Sequence, residues 1–236
     1  MSSPRLLIAD VDDTLVGDPK ALIRLTVRLR ADDIRLVPCS SRPIDSLRAD
    51  AAFASLPAVA VIGALGTQVE RGRVRDVRWE DRFAGFPRAQ VTALLAAYGP
   101  AHDPSLQGPA KVSHAVPRPD WPAAARAIRD LDPTLRVVTS GESNLDVIPR
   151  GAGKANGARY VAAQLGVPWS QVVTAGDAEI DADLLVAGLG IAVGNATPGL
   201  RAVLAGRAYQ AEAHFADGVI EGLNHYGRME GSDQDG

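Results

Sequence analysis

Asp10, Asp12 and Asp13 fall within four residues, directly after the apolar run Leu6-Leu7-Ile8-Ala9. Residues two apart on an extended segment face the same side, so the carboxylates of Asp10 and Asp12 can address one substrate. One can attack as a nucleophile while the other donates or accepts a proton. A solvated acidic turn has the same composition, and a short motif does not choose between the two. Other polar residues end other apolar runs: Ser40, Ser41 and Arg42 follow the run at 34–37, and Asp177, Glu179 and Asp181 follow the run at 171–175. Carboxylates brought together repel unless a cation sits among them. An all-oxygen set of donors favours magnesium over zinc.

The elements that must gather these residues are strands. Short apolar runs at 5–9, 34–37, 58–62, 171–175 and 191–193 lack strict alternation, as expected for a parallel sheet covered on both faces. Helical patterns at 19–31, 44–54, 154–165 and 182–187 lie between them. Strand and helix in this rhythm predict a doubly wound α/β fold, whose ligands bind outside the carboxyl ends of the strands. The rhythm breaks at 79–151, which reads as helix (87–98), strand (111–116), helix (121–131) and two strands (135–139, 144–148). A Pro- and Gly-containing stretch at 99–109 reads as an exposed loop. The expectation is an α/β core over 1–78 and 152–236, with an inserted α+β cap over 79–151. A closing helix is expected within 217–226 and a frayed tail at 230–236.

The bulk composition narrows the function classes. The chain has 236 residues, 46% of them apolar, a net charge of -3 and one cysteine, Cys39. No basic block suggests a nucleic-acid partner, and no apolar run is long enough to span a bilayer. No signal-peptide pattern opens the chain, and a lone cysteine excludes an intrachain disulfide. The expectation is a soluble cytoplasmic protein with a small-molecule partner.

Four motifs in order resemble those of the haloacid dehalogenase (HAD) superfamily of phosphatases, most closely its sucrose-phosphate-phosphatase-like and Cof-like branch. Asp10-Val-Asp12-Asp13-Thr14 resembles the first motif. Leu36-Val-Pro-Cys-Ser40-Ser-Arg42 resembles the second, Lys154 after Pro149-Arg-Gly-Ala-Gly153 the third, and Gly176-Asp177-Ala-Glu-Ile-Asp181 the fourth. Ala64-Leu65-Gly66-Thr67 and Gly194-Asn195-Ala196 are similar to the same branch. The resemblance implies a HAD-like core with a cap that selects the leaving group, and a phosphatase acting on a sugar phosphate or sugar conjugate.

It also implies roles. Asp10 would be the nucleophile and Asp12 the acid/base. Ser40 would bind a phosphoryl oxygen, and Lys154 would neutralise charge. Magnesium would be held by Asp10, the backbone carbonyl of Asp12 and Asp177, with Asp181 behind them holding Lys154 or metal-bound water. Ser41, Arg42 and Asn195 would face substrate. Two departures stand out. Ala178 and Ile180 replace residues that are often Ser or Gly and Asn, which removes a hydrogen bond near the metal; such a loss commonly costs about 10- to 100-fold. Ser41 stands where Gly is usual, and its spacing to Arg42 favours Ser40 as the phosphate contact. A sugar phosphomutase and a non-hydrolytic sugar-phosphate binder are the rival readings, and intact Asp10, Asp12, Lys154 and Asp177 argue against the binder.

His102, His114, His214 and His225 lack metal-ligand spacing, so surface or packing roles are expected. Cys39 is expected to be a small buried apolar residue rather than a nucleophile. Lys111, Ser113, Glu142 and Asn144 could read substrate hydroxyls from the cap or could simply form turns and strand ends.

Overall fold

The computed structural model describes residues 5–231. Strands β1 (Leu6–Ala9), β2 (Arg35–Pro38), β3 (Ala60–Gly63), β4 (Gln68–Arg71), β5 (Val74–Arg75), β6 (Val112–Ala115), β7 (Leu135–Ser140), β8 (Asn144–Pro149), β9 (Val172–Gly176), β10 (Leu189–Ala192) and β11 (Tyr209–Gln210) form three sheets. The helices are α1 (Pro19–Ala31), α2 (Ile44–Arg48), α3 (Ala51–Ala54), α4 (Val77–Glu80), α5 (Arg88–Leu95), α6 (Trp121–Leu131), α7 (Lys154–Gln164), α8 (Ala182–Ala187), α9 (Pro198–Val203) and α10 (Phe215–Gly231).

The central sheet is parallel throughout, in the order β11-β10-β9-β1-β2. Its strands are short and apolar because both faces are covered. Leu6 and Ile8 of β1 join one cluster with Val37, Ile62 and the α7 residues Ala158 and Val161. Leu7 and Ala9 join another with the α1 residues Leu22 and Leu25 and the α10 residues Val219 and Leu223. The doubly wound expectation therefore holds. Helix α1 begins where the sequence predicts: Asp18 accepts the Lys20 N–H at 2.8 Å and Pro19 occupies the first turn.

Three local readings change. The helix expected at 44–54 is two short helices, with Asp50 starting the second by accepting the Ala52 N–H. The run at 58–62 does continue the sheet beside β2, but only through the parallel bridges Leu36–Ala58 and Cys39–Ile62. The Leu36 carbonyl and the Ser40 N–H both bond toward that strand. Pro38 is in phase with them and has no N–H to give, so the ladder lapses there. Strand β3 instead pairs antiparallel with β4, and β4 with β5. This hairpin is absent from the sequence reading, as is β11. The helix that ends the described chain runs past 226 to Gly231. Of the expected tail, residues 232–236 lie outside the described residues.

Within 79–151 the order β6-β8-β7 forms an antiparallel sheet. Alternation splits its faces. Val112, Leu135, Leu145 and Val147 pack on Val91 and Leu95 of α5 and Ala124 and Ile128 of α6. Lys111, Ser113, Asn144 and Asp146 share the opposite, polar face. Among the described residues no helix is long and apolar enough to cross a membrane.

Candidate active site

Register places the site. Ala9 of β1 pairs with Pro38 on one side and Ala175 on the other, so the residues after these strands share one edge. The Asp10 N–H donates to the Ala175 carbonyl at 2.9 Å, the Cys39 N–H to Ala9 at 2.8 Å and the Ser40 N–H to Ile62 at 2.9 Å. Asp10, Ser40 and Asp177 thus leave the sheet together. Lys154 comes from the first residue of α7 and is 1% exposed. Its ammonium bridges Asp10 Oδ1 and Asp181 Oδ1.

Asp181 is fully buried, and its second oxygen accepts the N–H groups of Asp177 at 3.2 Å and Ala178 at 3.3 Å. A Cβ on Gly176 would lie 2.6 Å from Asp181 Cγ, so a glycine is what lets that carboxylate close on the strand end. Thr14 donates to Asp177 Oδ1 at 2.9 Å. Carboxylate oxygens of Asp10, Asp177 and Asp181 all lie within 4.8 Å of one another. Burial, with Asp181 adding repulsion, pushes the Asp177 carboxyl up to about 6. Burial also raises Asp10 well above the usual carboxylate range, against the pull of Lys154. Burial alone would lower Lys154, yet Asp10 and Asp181 hold it well above its ordinary value, so it stays charged. One ammonium among three carboxylates leaves unbalanced negative charge, and the donors are all oxygen. These residues fit a small divalent cation.

Asp12 lies at the same edge but outside this cluster. Its carboxylate is about half exposed and meets Arg42 Nη1 at 3.1 Å; Arg42 is held in turn by Asp50 at 3.2 Å and the Ser46 carbonyl at 3.1 Å. Ser40 Oγ is buried and accepts the Arg42 N–H at 3.0 Å. The Ser41 carbonyl accepts from Lys111, just before β6. Asn195 braces two loops, donating to the Asp13 carbonyl at 2.6 Å and accepting the Phe215 N–H at 2.8 Å, so its amide is engaged within the protein.

Of the residues at the altered fourth motif, Asp183 faces Arg136 at 3.4 Å and Glu179 lies against Gly199. Neither joins the carboxylate cluster. Cys39 is buried and its thiol is pushed up by desolvation, which fits a packing role. His114 is buried, with Nδ1 2.9 Å from the Gly99 carbonyl, and His225 stacks on Tyr209.

Two contributors were missed. Thr14 was visible only as a motif letter, although a hydroxyl beside three aspartates is a ready donor. The left-handed run Ala64-Leu65-Gly66, noted in the sequence only for its resemblance to the family, has no role assigned there, yet it supports two catalytic candidates. The Leu65 N–H donates to the Ser40 carbonyl at 3.1 Å, and the Leu65 carbonyl accepts the Gly153 N–H at 2.9 Å.

The parallel core with its first-strand aspartates, buried lysine and inserted second sheet defines a phosphatase of the HAD superfamily, a phosphoric monoester hydrolase. The family model described as sucrose-6F-phosphate phosphohydrolase matches residues 3–227, and the chain belongs to that family. Mannosylfructose-phosphate phosphatase of Agrobacterium fabrum is 31% identical over 246 aligned residues, covering 96% of this chain and 98% of the relative. The fold is also that of the Synechocystis sucrose-phosphatase, solved with sucrose and phosphate: TM-score 0.86, 24% identity, 95% of this chain and 98% of that one. A HAD subclass IIB sugar phosphatase shares it at TM-score 0.73 and 17% identity, over 94% and 99% of the two chains.

Proposed function

We propose that this protein hydrolyses a phosphorylated sugar or sugar conjugate, with magnesium as cofactor, through an aspartyl-phosphate on Asp10. The observation that carries the reading is the buried Lys154 ammonium bridging Asp10 and Asp181 next to Asp177. Full-length similarity to a mannosylfructose-phosphate phosphatase supports the sugar-phosphate class.

The Asp10 carboxylate attacks phosphorus while the P–O bond to the sugar breaks, and protonated Asp12 gives its proton to the departing sugar oxygen. Asp12, now a carboxylate, takes a proton from the water that attacks the aspartyl-phosphate, and phosphate leaves with Asp10 restored. Lys154 offsets charge on Asp10 and the phosphoryl oxygens, and the Ser40 hydroxyl donates to one of those oxygens. Asp10, the Asp12 carbonyl and Asp177 would hold magnesium, with Asp181 behind them. The ion supplies further charge neutralisation at the phosphoryl group when bound. Arg42 holds the Asp12 carboxylate toward the site. We take 79–151 as a cap that covers the strand ends and excludes water. Ser41 and Arg42 are assigned to the substrate-facing edge of the core, and Asn195 braces the Asp13 and Phe215 loops. A cytoplasmic setting is part of the proposal and rests on the single buried cysteine.

The test is a panel of sugar phosphates that includes sucrose and mannosylfructose phosphates, assayed for released phosphate with magnesium and with chelator. Release is expected only with the metal, and Asp10→Asn should remove it. Isomer interconversion without phosphate release would point to a mutase, and equal turnover by Asp10→Asn and the parent would end the nucleophile assignment.

A further inference from the structure

Only three of the chain's 25 basic residues are lysines. Lys20 is exposed on α1, and Lys154 serves Asp10. Lys111, just before β6, is 3% exposed. Its ammonium donates to the Leu106 carbonyl at 3.0 Å and the Ser41 carbonyl at 3.1 Å, and Asp146 Oδ1 lies 3.1 Å away as an ion-pair partner without hydrogen-bond geometry. Asp146 is itself fully buried. Such a pair adds little net stability because desolvation offsets the attraction, but it does hold a geometry. The backbone of Lys111 is fixed as well, since Arg88 Nη1 donates to its carbonyl at 2.8 Å.

The Ser41 contact matters because Ser41 belongs to the core. Its carbonyl sits in the turn between Ser40, whose hydroxyl accepts the Arg42 N–H, and Arg42, whose guanidinium meets Asp12. The cap segment touches the opposite flank through Arg136 and Asp183 at 3.4 Å, but those side chains are 32% and 40% exposed. A pair that open to water is weak. The buried Lys111 contact is the stronger coupling between cap and catalytic turn.

We propose that Lys111 is a positioning residue. Seating its ammonium on the Ser41 carbonyl fixes the 40–42 turn, so the Ser40 hydroxyl and the Arg42–Asp12 pair are in place only when the cap is down. The inference rests on the phosphatase reading above and adds to it a switch that couples cap closure to the core turn. Lys111 is nearly fully buried, with its ammonium on two carbonyls and against the buried Asp146 carboxylate, so its loss acts on kcat and not on KM.

The test removes both charges together, Lys111→Met with Asp146→Asn, so that no lone buried carboxylate is stranded. Amide exchange at 39–43 should rise about 10-fold or more. With the best sugar phosphate of the panel, kcat should fall about 100-fold with KM held within about twofold, as expected when catalytic groups lose their placement. A raised KM with intact kcat would make Lys111 a substrate reader and overturn the proposal, as would unchanged exchange at 39–43. If the parent hydrolyses no panel member, the phosphatase reading fails while the exchange measurement still decides the coupling. Should the double variant not fold, the unmodified protein serves. Under amine acetylation read by mass spectrometry, Lys20 labels at once and Lys111 only as the cap lifts. Across low urea, Lys111 labelling and exchange at 39–43 should share one midpoint, and separate midpoints would refute the coupling.

Discussion

Asp177 carries an electrostatic cost in the folded protein. Its ordinary value of 3.8 is pushed up to about 6, chiefly by burial and then by Asp181. Between those values the folded protein holds a proton that the unfolded chain has released. Stability of the metal-free protein therefore falls as pH rises through that window. The shift corresponds to roughly 2–3 kcal/mol at most. Asp177→Asn removes the cost, so at about pH 7.5 in chelator the variant should melt a few degrees above the parent, and the gap should shrink to about half by about pH 5 and close below about pH 4. Magnesium should raise the melting temperature of the parent and leave the variant unmoved, while phosphate release by the variant falls about 100-fold or more. Calorimetry over pH, with and without metal, checks each part. A variant that melts at or below the parent in chelator at the higher pH would show that the cluster is not repulsive.

Elements carry these residues with unequal visibility in sequence. Apolar runs ending in Asp10, Ser40 and Asp177 were legible because a strand buried on both faces has few other compositions, and α1 was legible as a helical pattern over 19–31. The β4–β5 hairpin was not, because Gln68, Glu70 and Arg71 are polar and owe their burial or pairing to neighbours far along the chain: Glu70 to Arg48, and Gln68 to the Ile44 N–H. The segment 64–66 stands out by its resemblance to the family, but its bracing role was illegible because that role lies in backbone groups, which every sequence offers. Gly66 has φ +77, and a Cβ there would lie 2.2 Å from the Gly153 carbonyl oxygen. Gly66→Ala should therefore push on the start of α7 and displace Lys154. We expect a loss of about 2–3 kcal/mol in stability and more than about 10-fold in kcat at temperatures where the variant is fully folded. Gly72, in the hairpin turn at φ +54, has nothing within 4 Å of such a Cβ. Gly72→Ala should cost only about 1–2 kcal/mol and leave kcat alone. Denaturant melts with kinetics on the two variants separate backbone strain from displacement of the lysine, and equal kcat in both would remove the role given to 64–66.

At the scale of the whole molecule, the cap segment has its own core. Val91, Leu95, Val112, Ala124, Ile128, Leu135, Leu145 and Val147 form one cluster, while Trp79, Phe83 and Ile148 pack with Ile8, Ile62 and Leu184 of the catalytic part. Trp79 is tied down further by its indole N–H on the Gly66 carbonyl at 3.0 Å and by stacking on Tyr160. The base of the insertion and Ile148 of β8 thus belong to the catalytic core, while α5, α6 and the sheet face packed on them can loosen without disturbing β1 or β9. Ile128 is 1% exposed in the cap cluster. Ile128→Ala should cost about 2–5 kcal/mol, felt as local opening because few apolar contacts tie this cluster to the other. Opening admits water and relaxes the grip on a sugar leaving group, but it leaves the Lys154-bridged carboxylates in place. Turnover of a sugar phosphate should then fall about 10-fold relative to p-nitrophenyl phosphate, whose activated leaving group depends less on proton donation and closure. Val173→Ala, in β9 beneath the catalytic edge, should depress both substrates alike. The ratio of the two rates, measured for both variants at one temperature, is the readout. An equal loss on both substrates in Ile128→Ala would mean that cap and core open as one unit, and substrate choice would then have to be made by the core edge itself, at Ser41 and Arg42.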